Sequence, residues 1–311
     1  MMRVTLDGEL TLRTALLLLE RLEATWASLR ILRHTKLYLD MRDVQFVSPT
    51  ALTLLTTAIL RLQQQQVQVE IIPPASSART YLNRVGFYKR IGVEVEYPWQ
   101  RHDSRGRFVE IVQARDERDG EAVVGEMLEI LRNQNVAGTE TVYDALQYAL
   151  LEVVNNVFHH AQSPTYAVLC AQFYPQRRRV ELAVADTGRG IPVSLRDNPE
   201  LQGAFETDAE AIHLAVQPRV TGRPAYNTGE GLFFTMEFIK RNRGDACIHS
   251  QRGMLWIQDG MERVETGPRW PGTWVTLRFR TDHPVNTREI FDSYAPPETD
   301  YDWLFDEGDS F

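Results

Sequence analysis

Glu152, Asn156 and His160 stand four residues apart in the run Leu151-Glu152-Val153-Val154-Asn155-Asn156-Val157-Phe158-His159-His160. That spacing stacks them along one face of an α-helix. Around them Leu146, Ala149, Leu150, Val153, Val154 and Val157 form an apolar stripe, the side a helix turns toward a core. A carboxylate and an amide on such a stripe need partners or they cost free energy. Either they hold an ion or a ligand, or they lie at the stripe's edge and meet water. In the first case the chemistry is specific. A carboxylate can take a proton from a water or a hydroxyl, and an amide oxygen suits a hard cation such as Mg²⁺, which uses few protein groups beside phosphates and water.

Three later segments bear on that choice. Leu182-Ala183-Val184-Ala185 is an apolar strand running into Asp186-Thr187-Gly188-Arg189-Gly190, an acid followed by a Gly-rich turn. Asn227-Thr228-Gly229-Glu230-Gly231-Leu232 is a Gly-rich loop that opens an apolar helix, where backbone N–H groups form a cradle for phosphate. Pro271-Gly272-Thr273-Trp274-Val275-Thr276 is a turn leading into a period-two strand. Taken singly, each glycine turn is only a turn, and Asp186 could simply cap its own backbone.

Together, in this order, the four segments resemble the GHKL ATP-binding fold of histidine kinases, type II topoisomerases, Hsp90-type chaperones, MutL-type repair proteins and anti-sigma-factor serine kinases. The resemblance spans roughly residues 121–281. It implies that Asn156 is the N-box asparagine that ligates Mg²⁺ and that Glu152, one turn earlier, is the general base. It makes Asp186 the acceptor for the adenine amino group. Gly188 and Gly190 become the glycines that let backbone approach the base. Gly229 and Gly231, with Leu232 following, resemble the phosphate loop, and Thr273 the threonine beside the nucleotide. ATP and Mg²⁺ are the cofactors implied. His160 matches a histidine that follows the N-box in the anti-sigma kinases, or is a polar helix end before Gln162-Ser163-Pro164. Residues 192–228 resemble the ATP lid. Arg219 and Arg223 within it either neutralise triphosphate charge on closure or are solvated.

The elements that must position these groups fall into two units, with a third segment between them and a tail. Residues 1–97 alternate strand and helix: strands at 3–10, 36–41 and 67–72, helices at 14–29, 49–65 and 76–90. One core suffices for that length. The stretch Leu37-Tyr38-Leu39-Asp40-Met41 through Ser48-Pro49-Thr50-Ala51-Leu52, with the later Tyr81-Leu82-Asn83-Arg84-Val85-Gly86, resembles the STAS domain of anti-sigma-factor antagonists. Its family pattern Asp-Ser-Ser-Gly is Ser48-Pro49-Thr50-Ala51 here, so Thr50 occupies the phosphorylated position. Thr50 is either a phosphosite at a helix start, where negative charge is favoured, or a plain first-turn residue behind Pro49. Residues 98–120 are either a charged linker or, through a strand at 108–113, an addition to the next sheet. Residues 121–283 are expected as an α/β sandwich, helices on one face of a mixed, largely antiparallel sheet. Residues 284–311 are an acidic, aromatic tail anchored by Trp303-Leu304-Phe305.

Composition limits the classes. The 311 residues carry a net charge of −8, which disfavours a nonspecific nucleic-acid surface. Arg177-Arg178-Arg179 lies at an expected hairpin tip. Two cysteines, Cys170 and Cys247, stand in apolar strands, and no disulfide framework is expected. The apolar run 10–19 is too short to span a bilayer. A cytoplasmic protein is expected, with a protein partner and possible homodimerisation. Two functions fit: an ATPase or serine/threonine kinase in bacterial partner switching with its STAS-like domain in cis, or an ATP-dependent switch with little turnover.

Overall fold

The computed structural model describes residues 2–32, 36–95, 108–133, 142–224 and 227–294. The expected linker segment 98–107 and the tail anchor Trp303-Leu304-Phe305 lie outside them. Two sheets form among the described residues.

The first sheet is parallel, in the order β1 (Met2–Leu10), β2 (Lys36–Val47), β3 (Gln68–Ile72). α1 (Ala15–Leu32) and α2 (Pro49–Gln64) make the crossovers that parallel strands require. α2 starts where the sequence places it: Ser48 Oγ accepts from the Ala51 amide, and Pro49 takes the first helical position, where its missing N–H costs nothing. The expected helix at 76–90 is two helices, α3 (Ala78–Arg84) and α4 (Phe87–Arg90), split by Gly86 at φ +76°. A left-handed residue ends a helix, and glycine adopts that conformation without a Cβ penalty.

The second sheet has the order β4 (Phe108–Ala114), β5 (Ala167–Tyr174), β6 (Arg179–Ala185), β8 (Met261–Arg280), β7 (Asp245–Gln258). Every described pairing in it is antiparallel, so the expected mixed character is absent. β4 is the strand expected within the linker, and it lies at the sheet edge beside β5. β7 runs unbroken through residues 245–258, and β8 begins at Met261, twelve residues before the Thr273 turn. Both belong to a long hairpin with a register shift near Gln251, which sits at φ +54°.

Side chains alternate across this sheet. Val180, Leu182 and Val184 of β6 join a core with α5 (Glu117–Asn133), α6 (Tyr143–Asn156) and α9 (Gly231–Arg241). The other face, with Cys170, Ala185, Cys247, Trp270 and Trp274, is continuous with the core of the first unit. The sheet is therefore covered on both sides: by its own helices on one face, and by α1 and α2 on the other. Beyond Asn156 the α6 helix opens into a π-helical turn, Val157–Ala161, closed by Gln162 at φ +50°. The last helix, α10 (Thr287–Tyr294), lays Phe291 against Tyr148, Phe234 and Phe238. No described helix is long and apolar enough to cross a membrane.

Candidate functional site

A cavity of about 320 Å³ opens on the face of the second sheet that α6 and α9 cover, at the low end of small-ligand sites. Glu152, Asn156, His160, Asp186, Gly190, Gly229, Gly231, Leu232 and Thr273 all line it. They come from α6 and its π turn, the end of β6, the start of α9 and the middle of β8.

Asp186 forms the most constrained part. It is 1 % exposed. Its Oδ1 accepts from the Gly188 amide at 2.6 Å and its Oδ2 from the Thr273 amide at 3.1 Å. Its own N–H donates to the Thr273 carbonyl at 2.9 Å. Burial raises its carboxyl to about 7, against the lowering effect of the two amide bonds. A carboxylate held this way still offers acceptor capacity to a donor in the cavity.

The glycines are required by contact. Gly190 sits at φ +78°, and a Cβ there would meet Ser250 Oγ at 2.6 Å. Gly229 is at φ +75° against the Val220 backbone. Gly231 opens α9, and a Cβ on it would meet Glu152 Oε2 at 1.8 Å. The start of a helix, with its unsatisfied N–H groups, thus faces the expected base. Gly188 is not among the lining residues, and a Cβ on it would meet the Ala161 carbonyl oxygen at 2.0 Å.

Glu152 and Asn156 are half-buried on adjacent turns of α6. Burial raises the Glu152 carboxyl, and His159 partly offsets it. His160 accepts from Asn227 Nδ2 at 3.1 Å through Nε2, while Nδ1 lies 3.5 Å from Ser194 Oγ. Burial first, then Arg223, His159 and Arg189 lower it to about 4, so it is neutral at physiological pH. His160 therefore ties the end of α6 to the loop before α9.

The lid segment is anchored, and it opens with the short helix α7 (Ile191–Leu195), packed against β7. α8 (Asp208–Ala215) carries a capping box between Thr207 and Glu210 and packs against β7. Asn198 Nδ2 donates to the Thr221 carbonyl at 2.9 Å. Of the two lid arginines, Arg219 pairs with Glu230 at 3.7 Å and Arg223 lies near His160. Neither lines the cavity.

Two residues were missed in the sequence. Ser250 Oγ donates to the Gly272 carbonyl, accepts from the Ile191 amide and lies 3.1 Å from Thr273 Oγ1, joining three walls. Gly272, at φ +102°, would press a Cβ into Asp186. Its place between Pro271 and Thr273 was the available signal.

Thr50 lies elsewhere. It is 0 % exposed, on the opposite face of the sheet, with Oγ1 donating to Glu181 Oε1 at 2.7 Å and 3.1 Å from Thr276 Oγ1. Residues 1–98 match the family model of the STAS domain, and no curated protein matches the chain. The STAS domain points to a regulatory role exercised through protein partners, as in anti-sigma-factor antagonism.

Proposed function

We propose that the cavity binds Mg-ATP and that the chain is a GHKL-type ATPase or protein serine/threonine kinase under the control of its STAS domain. The observation that carries this reading is convergence. Glu152 and Asn156 of α6, Asp186 at the end of β6 and the first turn of α9 come from three separate segments and meet around one cavity. An amine acceptor and a helix N-terminus lining one cavity suit the two ends of an adenine nucleotide.

Each group has a role that its surroundings support. Asp186 accepts the purine amine, and its fixed amide partners hold it in place. The Gly229–Gly231 backbone gives N–H donors to phosphate oxygens. Mg²⁺ arriving with the nucleotide would neutralise phosphate charge, and Asn156 would contribute one amide oxygen to it. Among the described residues no group of three His, Cys, Asp or Glu could hold a metal alone, so the fit is to a cation that brings phosphate ligands with it. Glu152, its proton affinity raised by burial, is suited to accept a proton from a water or a protein hydroxyl.

Thr50 is not placed to accept phosphate from this cavity. Thr50 is separated from the cavity by the thickness of the sheet. A second reading, a nucleotide-dependent switch with little turnover, draws on the buried interface between STAS domain and sheet. Incubation with γ-labelled ATP and Mg²⁺, beside Glu152→Gln, separates the two. Glu152-dependent free phosphate or label on a partner supports an enzyme. Bound ATP with neither supports the switch, and no bound ATP removes the proposal.

A further inference from the structure

The STAS domain touches the turn that carries Asp186. Arg61 of α2 donates from Nη1 to the Thr187 carbonyl at 3.2 Å. The Arg61 guanidinium lies 5.5 Å from the ring centroid of Trp26 on α1. Trp26 in turn packs on Trp270 at 5.5 Å between centroids. Trp270, fully buried, donates its indole N–H to the Asp186 carbonyl at 3.0 Å. The Thr187 carbonyl is thus held directly by the STAS domain and the Asp186 carbonyl by Trp270 of β8, on which Trp26 of the STAS domain packs, while the Asp186 carboxylate lines the cavity. The remaining polar groups of Thr187 are fixed from the loop after the π turn: its amide by Ser163 Oγ and its hydroxyl by Thr165 Oγ1.

We infer that Arg61 and Trp26 are positioning residues of the ligand site, so that docking of the STAS domain sets how well Asp186 is presented to the nucleotide. This rests on the nucleotide reading above for its ligand, though not for its geometry. The physical basis is preorganisation. A turn restrained through two carbonyls keeps its carboxylate in one place, and a ligand then pays no ordering entropy to fix it. Coupling of this kind is reciprocal: nucleotide in the cavity must tighten STAS docking by the same factor that docking tightens nucleotide. A partner that drew α1 and α2 off the sheet would lower nucleotide affinity without touching the cavity.

The test uses the full chain and three variants. Arg61→Ala removes the hold on Thr187, and Arg61→Lys restores a donor. Tyr81→Phe deletes a different cross-domain hydrogen bond, Tyr81 to Gln172 at 2.9 Å, remote from the turn. Two readouts are taken: ATP affinity by calorimetry, and amide hydrogen exchange of Gly188 and Arg189 in the ligand-free protein. Arg61→Ala is expected to weaken ATP about tenfold and speed exchange at both amides, with the slow amides of β2 unchanged. Arg61→Lys should recover part of both effects, and Tyr81→Phe should alter neither. Unchanged exchange at Gly188 and Arg189 in Arg61→Ala overturns the inference, as does an equal loss of affinity in Tyr81→Phe. A wild-type chain that binds no ATP overturns the nucleotide reading instead, and the exchange comparison still decides the positioning role.

Discussion

Thr50 Oγ1 and Glu181 Oε1 are 2.7 Å apart, a buried hydroxyl donating to a buried carboxylate across the seam between α2 and the second sheet. Glu181 is 1 % exposed, and its other oxygen takes Arg278 Nε at 3.0 Å. The position that would carry phosphate in the STAS family is thus spent on a contact within the chain. A phosphate there would meet Glu181 head on, like charge against like in a place with little water.

Replacing Thr50 tests that contact. Thr50→Glu places a second carboxylate against Glu181 and is expected to cost about 3 kcal/mol or more, enough to open the seam. Thr50→Val removes only the hydroxyl while Arg278 still serves Glu181, and should cost about 1 kcal/mol. Thermal unfolding and limited proteolysis measure both. Equal stability of the two variants would show that the charge is not felt. By the same geometry, mass spectrometry of the folded chain after incubation with ATP and cell extract should find Thr50 unmodified.

Asp186→Asn should lose ATP binding. An amide nitrogen would face either the Gly188 or the Thr273 amide donor, so the turn itself is disturbed as well as the acceptor. A weakening of about 100-fold or more is expected for a buried site with an unpaired donor. Calorimetry returning wild-type affinity would remove Asp186 from the site.

Acidity gives a second view of the same residue. Asp186 is raised to about 7 when folded, while an unfolded aspartate titrates near ~3.9. Between those values the folded chain binds more protons than the unfolded one. The stability from this group is full below about 4 and is lost as pH rises through about 7. A ligand amine favours the ionised carboxylate, so ATP affinity should rise with pH across that window, with release of a proton on binding. Calorimetry in buffers of different ionisation enthalpy detects that proton; uptake or no exchange near pH 6 contradicts the assignment.

Gly231→Ala and Glu152→Gln form a pair. The new methyl collides with the far end of the Glu152 side chain, which can swing away. Alanine also suits the first turn of a helix better than glycine. The fold should therefore survive while the Glu152 carboxylate is displaced. Both variants are expected to reduce phosphate release or transfer by about 100-fold, with Glu152→Gln keeping Mg-ATP affinity. Wild-type turnover in Glu152→Gln would take that residue out of the chemistry.

Much of this was visible in the chain. The 3.6-residue stripe around Glu152 and Asn156 gave α6, and alternation followed by Asp186 and glycines gave β6 and its turn. Residues in one short segment interact through a fixed geometry, so spacing suffices. The link from Arg61 to Thr187 had no such signal, since the two are 126 positions apart and nothing periodic joins them. The docking of the STAS domain left a trace that went unread. Helix α2 carries no charge from Pro49 to Leu60 and buries nearly every side chain there, and a helix without a charged face is one that is covered on more than one side. The π turn at Val157–Ala161 is a backbone event without a composition mark, so the four-residue spacing could not say where His160 would end up.

The two thiols acquire a use from where they sit. Cys170 and Cys247 are free, fully buried and raised in pKa by that burial. Both belong to the core shared by the STAS domain and the sheet. A thiol reagent cannot reach either while the two halves stay pressed together, and the thiolate it needs is scarce there. The rate at which these cysteines become labelled is a native clock for separation of the halves, readable in the unaltered chain with no dye attached beforehand.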